Sequence, residues 1–297
     1  MVSKGMKNVI KLLKKFQDMT EETTVESTRK GLEQMGAMNK IPDDIRCEKV
    51  EINGIDGEWI KAPEIKQNKV LLYLHGGAFV AGSINTHRDL ISRISRAGNI
   101  KVIAINYRLA PEHPYPAGLE DSFNTYKWLI SKKNYNPHNI IIGGDSAGGT
   151  LTISTLIKIK KEQLPFPVAA FCLSPATDMT GSGETYTTKA DLDPFLTPEL
   201  GDLVLENYLK DADPEDPLVS PLYADLEGLP PIYIQVGTSE ILLDDSIRIA
   251  KKLEDAGVEV ELDVWEDMIH VFAAFAAFAP ESREAIEKIG KFIKKHT

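Results

Sequence analysis

Cysteine is nearly absent: the 297 residues include two, Cys47 and Cys172. One pair is too few for a disulfide scaffold and too few for a metal site. Both sit among apolar or strand-like residues and read as buried free thiols in a reducing compartment, which points to the cytoplasm. Long apolar runs are missing as well. No stretch reaches the roughly 18 apolar residues that suggest a transmembrane helix, so no membrane span is expected. Met1 to Phe16 is amphipathic and lysine-rich, without the apolar core or small-residue cleavage site of a secretory signal. Positive charge is in deficit: 34 Lys and Arg face 44 Asp and Glu, a net charge of −10. An acidic surface favours solubility and argues against nucleic acid as a partner. The lysines near both ends (Lys11, Lys14, Lys15, Lys291, Lys294, Lys295) read as solvated helix faces.

What is present is a globular composition, 42% hydrophobic and 26% charged, long enough for one large α/β domain with an insertion. Met6 to about Met38 reads as helical, with Val9, Ile10, Leu12, Leu13 and Phe16 on one face and a polar stretch from Thr20 to Lys30. From Ile45 the period becomes two, and Arg46–Ile52 with Gly57–Lys61 forms an expected hairpin. Strands follow at 69–74, 100–106, 139–142, 167–173, 232–236 and 259–265. Helical patterns at 88–97, 119–131, 151–159, 246–256 and 281–295 lie among them. That alternation predicts a mostly parallel sheet with helices on both faces. Residues 177–219, rich in Gly and Pro and with a helix expected over 198–208, break the rhythm as an insertion. Its apolar residues and those of the leading helix are expected to meet over the carboxyl ends of the strands.

The chemistry concentrates at Asn139–Thr150. Ile140–Ile142 reads as a fully buried strand, and Leu151–Ile159 as a helix. Between them stands Gly144-Asp145-Ser146-Ala147-Gly148. A serine on such a turn is held in a strained backbone conformation, with small neighbours letting strand and helix pass close. Its hydroxyl needs a base, and the base an anionic orienter. Downstream histidines are His270, after the last strand, and His296, close to a fraying end; His270 is the candidate base. Three carboxylates compete in the loop after 232–236. Asp244 and Asp245 suit the N-cap of the next helix. Glu240, nearest the strand end, is the favoured acid, with Asp244 second. Backbone N–H groups at Gly77 and Ala78, and at Ala147 after the serine, are candidate donors to a developing oxyanion.

Taken together, His75-Gly76-Gly77-Ala78, Tyr107-Arg108-Leu109-Ala110-Pro111-Glu112, Gly144-Asp145-Ser146-Ala147-Gly148-Gly149 and Met268-Ile269-His270 resemble the hormone-sensitive-lipase-like esterases. The likeness covers about residues 40–297. It implies an α/β-hydrolase fold with a helical cap (residues 1–40 and about 177–219) on a catalytic domain (41–297). It further implies cofactor-free hydrolysis of short-chain carboxylic esters through an acyl-enzyme, with no metal and with a small-molecule ester as partner; a homodimer is a candidate assembly. By position, Ser146 resembles the nucleophile, His270 the base, and Gly77, Ala78 and Ala147 the oxyanion amides. Glu240 falls where the family usually has aspartate, and Ala78 where it has a third glycine. His75 resembles the residue that shapes the oxyanion loop. Arg108 and Glu112 are expected in buried ion pairs, and His87 and His113 in surface or structural roles. A lactonase or peptidase would share the acyl chemistry, and a ligand-binding protein on this fold would lack the base.

Overall fold

A computed structural model describes residues 1–19, 22–63 and 65–297. Among them, eight strands form one sheet: β1 (Arg46–Ile52), β2 (Ile55–Lys61), β3 (Lys66–Leu74), β4 (Ile100–Ile105), β5 (Ile140–Asp145), β6 (Ala169–Leu173), β7 (Ile232–Gly237) and β8 (Val260–Trp265). Their order is β1-β2-β4-β3-β5-β6-β7-β8. The β1–β2 hairpin joins the sheet antiparallel to β4, and all later pairings are parallel. The helices are α1 (Lys4–Met19), α2 (Val25–Ala37), α3 (Ile84–Gly98), α4 (Ala117–Ser131), α5 (Ala147–Lys161), α6 (Thr185–Thr188), α7 (Pro198–Val204), α8 (Leu243–Asp255) and α9 (Pro280–His296).

The uninterrupted apolar strands follow from coverage on both faces. Successive side chains of β5 alternate between two cores. Ile140 and Ile142 pack with α4, α5 and α8 through Leu119, Phe123, Leu151, Leu156 and Ile249. Ile141 turns the other way, with α3 and α9 through Ile91, Ile94, Ile289 and Ile293.

Several sequence expectations are corrected. The amino-terminal helix is two helices, because Thr24 and Ser27 form a capping box that starts α2. Thr20 and Glu21, in the expected polar stretch, lie outside the described residues. The same device at Ser83 and Thr86 begins α3 four residues before the apolar pattern does. Cys47 is exposed on the edge strand β1, and only Cys172 is buried, since an edge strand has a partner on one side only. His296 ends α9 with its ring 4.6 Å from that of Phe292. The α1 face is used differently from expectation: Met6, Val9 and Leu13 pack in the α9 core, and Ser3 N and Oγ donate to Glu281 at 2.6 and 2.8 Å. It is α2 that approaches the loop after β3: Arg29 donates to the carbonyls of Val80 (2.7 Å) and Ala110 (3.0 Å).

Candidate active site

Parallel neighbours deliver their loops to one edge of the sheet. Asp145 of β5 is level with Leu173 of β6, Leu173 with Gln235 of β7, and Gln235 with Asp263 of β8. The segments bearing Ser146, Glu240 and His270 therefore emerge side by side, at the carboxyl ends where open α/β sheets bind ligands.

Ser146 stands between β5 and α5 with φ 51° and ψ −122°, a strained setting for a residue with a side chain and one that costs of order 1–3 kcal/mol. Its amide donates to Leu173 O at 2.8 Å. A Cβ on Gly144 or Gly148 would collide with the Leu74 carbonyl oxygen, so the tight crossing of strand and helix admits only glycine at both places. Behind the turn, Asp145 accepts from Tyr73 Oη at 2.6 Å and His87 Nε2 at 3.2 Å. Burial opposes ionisation of Asp145, but the charge and hydrogen bond of His87 and the Tyr73 hydroxyl hold its pKa below the ordinary value. His87 is thereby a structural residue, nearly buried.

Glu240 is fully buried and fully engaged. Its Oε1 accepts from Gly237 N (2.7 Å) and Ser174 Oγ (2.9 Å), and its Oε2 lies 2.8 Å from His270 Nδ1. The carboxylate can only accept, which fixes Nδ1 as the donor and leaves Nε2 as the acceptor. The loop that carries His270 is sewn to the loop after β7: Ser239 N donates to Met268 O at 2.9 Å and Asp267 N to Thr238 Oγ1 at 2.8 Å. Burial alone would disfavour a protonated His270. The Glu240 hydrogen bond and the charges of Glu240, Asp193 and Asp145 outweigh it and hold the pKa above that of an ordinary histidine. Among the described residues no hydrogen bond links Ser146 Oγ to His270; such bonds commonly tighten only with substrate in place.

The two rival carboxylates are spent elsewhere. They lie in the first turn of α8 rather than at its N-cap, which is Leu242. Asp244 Oδ2 accepts from Thr185 N (3.0 Å), and Asp245 Oδ2 from Thr177 N (2.6 Å) and Asp178 N (2.9 Å). Both fasten the insertion that follows β6.

After β3 the backbone makes three consecutive left-handed steps at Gly77 (φ 126°), Ala78 (φ 54°) and Phe79 (φ 60°). Ala78 accepts the conformation despite its methyl group. Among the described residues, the amides of Gly77 and Ala78 donate to no protein acceptor. The Ala147 N–H opens α5, where first-turn donors have no partner within the helix. His75 stacks on Tyr107 with centroids 4.2 Å apart, its Nδ1 donating to Gly76 O at 2.8 Å. Burial pushes its pKa down to about 3, so it is neutral and shapes the loop.

Arg108 and Glu112 each form an ion pair, but neither residue is buried as expected. Arg108, half exposed, pairs with Asp121 at 2.7 Å, and Glu112, exposed, with Arg29 at 2.6 Å. His113 is exposed. Sequence reasoning overlooked Ser174, Asp193 and the Tyr73–Asp145–His87 group, joined by hydrogen bonds between residues 48 to 72 positions apart. Among the described residues no cluster of His, Cys, Asp or Glu could hold a metal ion, and no helix is long and apolar enough to cross a membrane.

A family model described as the α/β-hydrolase fold matches residues 71–274. An acetyl-hydrolase of Streptomyces hygroscopicus is 36% identical over 267 residues, covering 89% of this chain and 87% of that protein. An esterase of Acinetobacter venetianus is 36% identical over 249 residues, covering 84% and 82%. Among solved structures, an esterase from the bacterial hormone-sensitive lipase family superposes with a TM-score of 0.96 at 42% identity, covering 100% of this chain and 99% of that one. The esterase EstE5, soaked with p-nitrophenyl butyrate, gives 0.94 at 39%, covering 99% of each. The chain belongs to the hormone-sensitive-lipase family of α/β-hydrolases.

Proposed function

We propose that this protein is a serine carboxylesterase that hydrolyses short-chain carboxylic esters through an acyl-enzyme. The observation that carries the reading is the buried 2.8 Å contact of Glu240 with His270 Nδ1, at the same sheet edge as the strained Ser146. Enzymes named as ester hydrolases among the relatives support the same class.

Ser146 Oγ attacks the ester carbonyl carbon as its proton passes to His270 Nε2. The carbonyl oxygen takes up the negative charge and is met by the amides of Gly77, Ala78 and Ala147; each such donor, judged by a side-chain donor removed elsewhere, is worth about 3 kcal/mol. Glu240 stabilises the imidazolium without taking its proton. The tetrahedral intermediate collapses, the ester C–O bond breaks, and the leaving alcohol receives the proton from His270. Water then repeats the sequence on the acyl-enzyme and frees the acid. No cofactor enters these steps. Of the expected cap (residues 1–40 and about 177–219 on a catalytic domain of 41–297), α2 and the insertion lie beside the loop after β3 while α1 packs with α9, and the apolar side chains of the insertion wall the acyl pocket.

A fluorophosphonate probe tests the reading. It should modify Ser146 in the native protein and leave Ser146→Ala unlabelled, with ester turnover lost in parallel. Labelling that persists in Ser146→Ala overturns the assignment. Initial rates across p-nitrophenyl esters of increasing acyl length then define the substrate range.

A further inference from the structure

Asp193 lies in the insertion between β6 and β7 and is only 2% exposed. Its Oδ1 accepts from the amides of Phe195 (2.9 Å) and Leu196 (3.0 Å), which turns the chain sharply. Its Oδ2 reaches 48 residues along the chain to accept from Ile241 N at 3.0 Å, the amide immediately after Glu240. The turn it organises sets the Phe195 ring 5.7 Å from that of His270. Leu196, Ile241 and Leu242 close over the same place as a small apolar cluster. One carboxylate thus holds a residue beside the base and the loop that carries the acid.

An anchor of this kind needs acceptors, not a charge. A buried carboxylate without a cation is costly, and among the described residues no Lys or Arg pairs with Asp193. We propose that Asp193 is a positioning residue: a second buried carboxylate that ties the insertion to the Glu240 loop and stabilises the positive charge His270 takes up during turnover. This rests on the reading of Ser146, His270 and Glu240 given above. The charge is transient, arising when the Ser146 hydroxyl proton arrives at Nε2 and leaving with the departing alcohol. The carboxylates that act on His270 are Glu240 by direct hydrogen bond, Asp193, and Asp145, whose own charge is met by His87 and Tyr73. Burial, the largest influence, holds the pKa of Asp193 above the ordinary value, and the charge of His270 offsets it only in part.

Asp193→Asn keeps an acceptor for Phe195 and Leu196, removes the charge, and puts a donor-only amide group where Oδ2 accepts from Ile241 N. The pH dependence of kcat/KM for p-nitrophenyl butyrate should show its acid limb displaced to lower pH by about half a unit or more, with kcat at the plateau reduced. A lower melting temperature with an unmoved acid limb overturns the proposal and leaves Asp193 as an anchor only. Should the variant not fold, the His270 imidazole is titrated by NMR in Glu240→Gln. A midpoint that stays near the ordinary value of about 6.5 supports a second carboxylate acting on the ring; a fall well below it overturns the idea. Failure of the underlying triad shows differently: the unmodified protein would then have no histidine-like acid limb at all.

Discussion

Phe79, in the left-handed loop after β3, and Tyr208, in the insertion, stack almost parallel, with centroids 3.9 Å apart and planes 8° from coplanar. Tyr208 also accepts at its carbonyl from Tyr115 N at 2.9 Å. The insertion therefore grips the loop that presents the Gly77 and Ala78 amides. A stacked aromatic pair contributes about 0.5–1.5 kcal/mol beyond its buried area. Tyr208→Leu keeps apolar bulk and loses the stack, so kcat/KM for p-nitrophenyl acetate should fall by about two- to twelvefold. Unchanged kinetics would mean that the loop holds its shape unaided.

Ser146→Ala and His270→Ala should each abolish measurable ester turnover, and the double variant should lose no more than either alone, because the two act as one unit. Circular dichroism should be unchanged for Ser146→Ala, since the strain of the turn resides in the backbone (φ 51°) and not in the hydroxyl. Turnover near the native level in either single variant would end the nucleophile and base assignments.

Glu240→Gln should cost far more activity than Asp244→Asn. The glutamine keeps the contacts with Gly237 and Ser174 but loses the charge that faces the imidazolium. Asp244→Asn disturbs the seat of Thr185 instead, and its effect should appear in the melting temperature. Steady-state rates beside melting curves separate the two; the reverse ranking would make Asp244 the orienting acid.

The proposed mechanism requires neutral His270, and the surrounding carboxylates hold its pKa above the ordinary value. A raised base pKa means that the rate is lost at higher pH than with an unperturbed histidine. The acid limb of kcat/KM should therefore have its midpoint above about 6.5. A midpoint clearly below that value contradicts the electrostatic account.

Asp245 offers a separate stability test. Burial, the largest influence, pushes its pKa up from 3.8 to about 7. The folded state then binds a proton that the unfolded state releases between those values, so this group's contribution declines as pH rises from about 4 to 7. Asp245→Asn cannot titrate and should flatten the corresponding slope of melting temperature against pH. An unaltered slope would show that Asp245 is ionised throughout.

The fold was legible because its periods are clean. Three isoleucines in a row demand cover on both faces, and β5 receives it. Ser146 announced itself through Gly144 and Gly148, small residues that only a tight crossing requires. Chain order pointed to His270 and nearness to the end of β7 to Glu240, and the structure brings those two side chains within 2.8 Å of each other. Asp193 and Ser174 were invisible for a physical reason: a lone Asp or Ser in a loop looks like a turn former, and what distinguishes these two is a partner 48 and 66 residues away. The partners of the expected ion pairs were hidden for the same reason. Arg108 and Glu112 are neighbours in sequence, yet their partners Asp121 and Arg29 sit on different helices. The use of the α1 face could not be foreseen either, because an amphipathic pattern states that a face is covered without stating by what.

Ser146, Glu240 and His270 follow three parallel strands of one sheet, and Ser174, after a fourth, bonds to Glu240 and to Val271 N. Nearly the whole length from β5 to β8 must be threaded before they meet, and such non-local pairings form late and slowly. If these three residues carry the proposed reaction, catalysis is a stringent reporter of assembly. After dilution from denaturant, far-ultraviolet circular dichroism should recover first, as helices form, and esterase activity only when the last strand is in register.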